Sequence, residues 1–66
     1  MTTKYGSFEG CAACWNGDTG KAFVAFDNKT WHPIHIAEVQ NGAGMMSEDS
    51  YKLTYPDAPE IPKEVK

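Results

Sequence analysis

The two cysteines and the two histidines of this chain form two pairs with the same spacing, Cys11-x-x-Cys14 and His32-x-x-His35. A gap of two residues lets both side chains of a pair turn toward one small cation, and four thiolate and imidazole donors complete the tetrahedron that structural zinc prefers. Because four filled N/S positions leave no place for a reactive water, the predicted cofactor is one structural Zn²⁺ held by these four residues.

The length of the chain explains why such a metal would matter. A chain of 66 residues forms a single small domain, and a domain of this size buries only about 60% of the surface that its unfolded chain exposes. A structural zinc couples on the order of 10 kcal/mol of apparent binding free energy to folding. We therefore expect metal binding and folding to be one equilibrium.

A Cys11–Cys14 disulfide and a thiol redox pair are the alternative interpretations of the cysteines. The chain has no apolar N-terminal stretch typical of a signal peptide, so we expect it in the cytoplasm or another reducing compartment, where thiols stay reduced. Redox C-x-x-C pairs usually open a helix, whereas the residues 16–20 that follow this pair are typical of a turn.

The surrounding residues predict a small α+β fold of zinc-finger type. A zinc-stabilised knuckle would begin at Gly10, because glycine tolerates the positive φ that such a turn requires. Turn residues on both sides of an aromatic and β-branched run predict a β-hairpin over residues 21–32. For residues 33–40 we favour a short helix, since Pro33 suits its first turn and Gly42 its end, but a strand stays open.

The rest of the chain is divided by composition. We predict an N-terminal arm at residues 1–9, a zinc-binding module at 10–42, a flexible link with a possible strand at 43–55, and a disordered, proline-rich tail at 56–66. Within the link, the strand is expected at residues 50–55, because Tyr51, Leu53 and Tyr55 alternate with polar residues. The tail contains the Pro-x-x-Pro elements Pro56 to Pro59 and Pro59 to Pro62. These could be presented to the groove of a partner as an extended or polyproline segment, and an inert tail is the alternative.

The step Trp31-His32-Pro33 at the third ligand, together with the preceding Cys11-x-x-Cys14, resembles the N-terminal zinc module of a LIM domain. The similarity covers residues 10 to 36, and Ile36 is not followed by the second C-x-x-C module of that family. The resemblance therefore implies a treble-clef-like single zinc module, with protein–protein recognition on a zinc-held scaffold.

Charge argues against nucleic acid as the partner. The net charge is −3, with six lysines, no arginine and nine carboxylates, whereas phosphate binding needs a clustered excess of Lys and Arg. We therefore expect a non-enzymatic, zinc-stabilised protein–protein interaction module, such as a small regulator or inhibitor of a larger protein. A nucleic-acid-associated zinc finger protein and a thiol redox protein are the alternatives, and no membrane partner is expected.

Trp15 and Trp31 are the candidate partner-binding residues, because each adjoins a predicted zinc ligand and exposed tryptophans often anchor protein contacts. In so small a domain both could instead belong to the core. A hydrolase would require a histidine that does not bind the metal and a carboxylate, Glu38 or Asp18, beside a metal-bound water.

Overall fold

The computed structural model describes residues 3–66 and contains five strands, two α-helices and a short 3-10 helix. The elements in chain order are β1 (Thr3–Phe8), β2 (Cys11–Asn16), β3 (Lys21–Ala25), β4 (His32–Ile34), α1 (Ile36–Gly42), β5 (Gly44–Met46), α2 (Glu48–Thr54) and the 3-10 helix (Lys63–Val65). The α+β class is confirmed. Residues 1 and 2 of the predicted N-terminal arm lie outside the described residues, and the rest of the arm is mostly strand β1.

The strands form one antiparallel sheet in the order β4-β3-β2-β1-β5. Glu9 and Gly10 connect β1 to β2 with φ values of 51° and 80°, which is the backbone of a two-residue hairpin turn. Gly10 thus takes the positive φ that we expected of it, but in a hairpin. The prediction of a knuckle at Cys11 is wrong, because Cys11 begins a regular strand.

The predicted hairpin over residues 21–32 is confirmed, but its second strand is His32–Ile34 and so begins where the prediction ended it. Strands β3 and β4 pair so that Ala22 lies opposite Ile34. The Asp27 carboxylate closes the connection by accepting the backbone N–H groups of Lys29 and Thr30, both at 2.9 Å. This is the Asx-type turn chemistry that short loops use.

A short helix does follow β4, but it starts later than predicted. Pro33 lies within β4, an edge strand in which a missing N–H group is tolerated. Helix α1 then runs from Ile36 to Gly42, and the His35 carbonyl accepts the backbone N–H groups of Glu38 and Val39. The segment 33–40 therefore contains the end of a strand and most of a helix.

The strand predicted at residues 50–55 is wrong, because this segment belongs to helix α2 and its C-terminal cap. The Ser47 hydroxyl accepts the Ser50 backbone N–H at 3.2 Å, which is how an N-cap starts a helix. Glu48 and Lys52 form an i,i+4 ion pair at 3.1 Å. Tyr51 and Tyr55 are also four residues apart, which places both on one side of a helix. This helical spacing describes the segment better than the alternation of apolar and polar residues that predicted a strand.

Apolar side chains cover both faces of the sheet. On the α1 face, one buried cluster joins strands β2 and β3 to α1; it contains Ala13, Trp15, Ala22, Val24 and Val39. On the opposite side, the aromatic face, Ala12, Ala25 and Tyr51 are buried, with Tyr5, Trp31 and Tyr55 packed against them. Strand β2 is buried from Ala12 to Asn16 because it lies between these two covers.

The prediction of a disordered tail is wrong, because residues 56–65, here called the strap, pack against the aromatic face. Val65 is fully buried. Asn16 Nδ2 donates to the Val65 carbonyl at 3.1 Å, and Thr3 Oγ1 donates to the same oxygen. The Thr19 hydroxyl donates to the Glu64 carbonyl at 2.9 Å. The strap therefore shields this side of the sheet from solvent.

Strands β1 and β5 pack closely at Gly6, and a substitution there tests this packing. A Cβ at this position would lie 2.9 Å from Trp15 Cη2 and would clash with the backbone of Gly44. We expect Gly6→Ala to lower the free energy of unfolding by about 1–3 kcal/mol through overpacking, measured by urea denaturation. The control Gly17→Ala, where a Cβ meets nothing within 4 Å, should change it by less than about 0.5 kcal/mol. Equal effects of the two substitutions would contradict this account.

Candidate functional site

Cys11 and Cys14 project from opposite faces of β2, because side chains three residues apart on a strand point in opposite directions. Cys14 is fully buried on the aromatic face. Cys11 is half-buried on the α1 face, where its thiol lies 3.8 Å from the carbonyl oxygens of Glu9 and Phe26. The backbone of β2 thus separates the two sulfur atoms.

The two histidines are both exposed, His32 within β4 and His35 just after it. His32 is exposed on β4 beside the ring of Phe26, with 6.0 Å between the ring centroids. His35 is exposed in the connection between β4 and α1, beside Ile34 and Ile36. The two histidines thus differ in their surroundings: His32 lies beside an aromatic ring, whereas His35 follows the end of β4.

These four residues do not fit the predicted tetrahedral zinc site. Among residues 3–66, no three His, Cys, Asp or Glu side chains are grouped so that they could hold a metal ion. The reason is local geometry: a C-x-x-C pair converges in a turn, whereas in an extended strand its two side chains diverge. Zinc binding by Cys11, Cys14, His32 and His35 would require β2 to be remodelled.

The same geometry bears on the redox interpretation. Both cysteines are free thiols, and three strand residues span about 10 Å, beyond the Cα separation of about 7 Å that a disulfide allows. Burial raises the pKa of Cys14 to about 12, so this sulfur stays a neutral thiol at physiological pH. A thiol of this kind is a poor nucleophile.

The two tryptophans have different surroundings. Trp15 is 4% exposed and belongs to the core of the α1 face. Trp31 is partly exposed and packs at the edge of the aromatic cluster. Its indole Nε1–H donates to the backbone carbonyl of Glu60 in the strap at 2.7 Å. Of the two predicted partner-binding residues, Trp31 is the one placed to make a polar contact with a polypeptide.

Three tyrosines extend the surface that begins at Trp31. The rings of Tyr5 and Tyr51 have centroids 5.0 Å apart, and those of Tyr51 and Tyr55 are 5.8 Å apart. The hydroxyl of Tyr55 shares a hydrogen bond of 2.7 Å with that of Ser7. We call Tyr5, Trp31, Tyr51 and Tyr55 the aromatic surface, and the strap packs against it through Ala58 and Ile61.

Sequence reasoning missed this surface because its members come from three separate elements. One local signal was present, the four-residue spacing of Tyr51 and Tyr55, which places both on one side of a helix. A second signal was the spacing of the strap prolines. The contact of Tyr5 and Trp31 with these residues follows only from the strand order, which the sequence did not predict.

One buried polar group on this surface is unsatisfied. Tyr51 Oη is enclosed and has no hydrogen-bond partner among the described residues. Burial, with smaller contributions from Cys14 and Tyr5, raises the pKa of Tyr51 to about 12. Both Tyr51 and Cys14 are therefore held in their neutral forms beneath the strap.

No family model, curated protein or solved structure matches this chain. The resemblance of residues 10–36 to a LIM zinc module thus rests on the residue pattern. Within residues 3–66, no helix is both long and apolar enough to span a lipid bilayer.

The geometry around Cys11 and Cys14 makes a prediction about metal. We expect the far-UV circular dichroism spectrum and the Tm of the purified protein to be unchanged by a strong chelator and by one equivalent of Zn²⁺, because Cys11 and Cys14 lie on opposite faces of β2 and residues 3–66 form no group of three metal-binding side chains. Elemental mass spectrometry gives the metal content of the same sample. One zinc per chain, together with loss of structure on chelation, would support the sequence prediction against this geometry.

Tyr51 and Cys14 predict a loss of stability at high pH. Their pKa values are raised to about 12 in the folded chain, whereas in the unfolded chain they ionise at about 8.5–10. Their stabilising contribution is therefore complete below the unfolded pKa values and is lost as the pH rises toward 12. We expect the free energy of unfolding to decrease steadily between about pH 8.5 and 11, measured by urea denaturation.

The matched variants are Tyr51→Phe and Tyr55→Phe. Tyr51→Phe removes an unsatisfied hydroxyl, so at pH 7 it should be neutral or stabilising, and it should reduce the alkaline slope. Tyr55→Phe removes the hydrogen bond to Ser7 and should cost about 1 kcal/mol at pH 7. An alkaline slope of Tyr51→Phe equal to that of the wild-type chain would contradict this assignment.

Proposed function

We propose that this chain is a non-enzymatic module that binds another protein, and that it does so through the aromatic surface of Tyr5, Trp31, Tyr51 and Tyr55. The observation that carries the proposal is the hydrogen bond from Trp31 Nε1 to the Glu60 carbonyl at 2.7 Å. Through this bond the surface holds an extended polypeptide segment within the chain itself. A partner would present a similar segment.

The strap is held largely through its backbone. Trp31, Asn16 and Thr19 donate side-chain hydrogen bonds to the carbonyl oxygens of Glu60, Val65 and Glu64, respectively. Apolar contacts from Ala58 and Ile61 add to these polar ones. Backbone contacts recognise an extended conformation, and pockets for alternate side chains supply selectivity, which is how peptide-binding surfaces commonly work.

The chemistry of the side chains favours binding over catalysis. The Cys14 thiol has a pKa raised to about 12 by burial, whereas a nucleophilic cysteine needs a lowered pKa. We propose that the protein works in a reducing compartment, where Cys11 and Cys14 stay thiols. The identity of its partner would then be set by the shape and hydrogen bonding of the aromatic surface.

The test uses the full chain with a loosened strap. Ile61→Asp places a charge against the aromatic cluster and should release the middle of the strap, with retention of the sheet confirmed by ¹H–¹⁵N NMR spectra. The probe is a fluorescein-labelled peptide with the sequence of residues 56–66. We expect saturable binding by fluorescence anisotropy. Adding Trp31→Phe, which keeps a ring and removes the N–H donor, should weaken it about two- to tenfold.

The matched control is Glu60→Ala. The Glu60 side chain is exposed, whereas its carbonyl makes the hydrogen bond to Trp31. In the Ile61→Asp background, this change should leave peptide binding unaltered. If the loosened chain is folded and the peptide does not bind, the proposal is wrong.

A further inference from the structure

Residues 56–57 of the strap form a turn and Lys63–Val65 form the 3-10 helix, and the stretch 58–62 between them is irregular. In and beside this stretch, exposed positions recur at intervals of three. Asp57, Glu60 and Lys63 are exposed, whereas the two residues between each successive pair are partly buried: Ala58 and Pro59, then Ile61 and Pro62. A polyproline II helix has three residues per turn. When such a helix lies on a surface, two residues of every three face the surface and the third faces solvent. The exposure of these strap residues follows this pattern.

The prolines support the same conformation. Pro59 and Pro62 lie in the stretch 58–62, whereas Pro56 lies in the turn before it. Each pyrrolidine ring fixes φ near the polyproline II value. Pro62 has φ −63° and ψ 147°, close to that conformation. Because a polyproline II backbone forms no hydrogen bonds within itself, its carbonyls are available to donors such as the indole of Trp31.

The surface beneath the strap has the chemistry that binds such helices. An open groove of about 400 Å³ runs along α2 beside the strap, and its lining includes Tyr51, Tyr55, Pro59 and Ile61. Aromatic grooves with an indole or hydroxyl donor are the usual receptors of Pro-x-x-Pro segments, since a preformed helix loses little entropy on binding. The groove shows that the strap does not fill the space next to the tyrosines.

We infer that the partner segment is a proline-containing polyproline II peptide, and that the strap is an internal competitor for the same surface. This inference rests on the proposed function and names its ligand class. A peptide must displace a strap that is covalently attached and so is present at an effective concentration in the millimolar range. The apparent affinity of the intact chain is therefore reduced by the fraction of molecules in which the surface is covered.

The experiment compares two peptides and two proteins. The first peptide carries residues 56–66, and the second carries Ala in place of both Pro59 and Pro62. Each is titrated into the wild-type full chain and into the Ile61→Asp full chain. We expect the Ile61→Asp chain to bind the proline peptide at least about fivefold more tightly than it binds the alanine peptide. We expect the wild-type chain to bind the proline peptide at least about tenfold more weakly than the Ile61→Asp chain does.

The outcomes separate this inference from the proposed function. Equal affinity of the two peptides for Ile61→Asp would overturn the ligand class and leave the protein-binding proposal intact. Equal affinity of the proline peptide for both proteins would overturn the role of the strap as competitor. No binding of either peptide to a folded Ile61→Asp chain would overturn the proposed function itself.

A second measurement needs no substitution and covers the case in which Ile61→Asp does not fold. In ¹H–¹⁵N spectra of the wild-type chain, the Trp31 indole resonance reports on the bond to Glu60, and the Trp15 indole, buried on the opposite face, is an internal reference. Millimolar proline peptide should shift the Trp31 resonance alone. No shift at that concentration, or an equal shift with the alanine peptide, would contradict the inference.

Discussion

The rest of the structure depends on the burial of both faces of strand β2. The five residues from Ala12 to Asn16 are all buried, so the sheet needs an apolar cover on each side. Helix α1 supplies one cover through Val39. The other is assembled from α2, through Tyr51, and from the strap, which ends at the buried Val65. A chain of 66 residues has little length to spare, and the second cover uses most of the residues after β5.

Because the strap is one of the two covers of the sheet, it combines two features that oppose one another. As part of the core it stabilises the sheet, since Val65 and the hydrogen bond from Asn16 anchor its end. As an extended segment on aromatic side chains, it also resembles a bound ligand. The two features lie in different parts of the strap. The 3-10 helix at Lys63–Val65 anchors it, whereas Glu60 is exposed and a groove lies beside it. The opening that we propose for the middle of the strap would therefore leave its end in place.

The sequence predicted the parts of the fold that depend on neighbouring residues. The hairpin between β3 and β4 followed from turn residues around an apolar run, and the helix after Pro33 followed from its end signals. The zinc site assumed that Cys11 and Cys14 lie in a turn, and an extended strand instead directs them to opposite faces. Which residues meet across the sheet depends on the order of strands distant in sequence, so the grouping of Tyr5 with Tyr51 could not be predicted from local patterns. The spacing of the strap prolines was visible in the sequence, but the groove beside them was not.

The contact between Thr3 and Val65 closes the chain almost end to end. Strands β1 to β4 form a meander of neighbouring hairpins, whose local contacts assemble rapidly, whereas the strap must find a partner sixty-two residues away in sequence. Contacts this distant in sequence have a large loop-closure cost, so we expect the strap to reach its place later in folding than the meander does. The aromatic surface is then the last part of the sheet that folding covers.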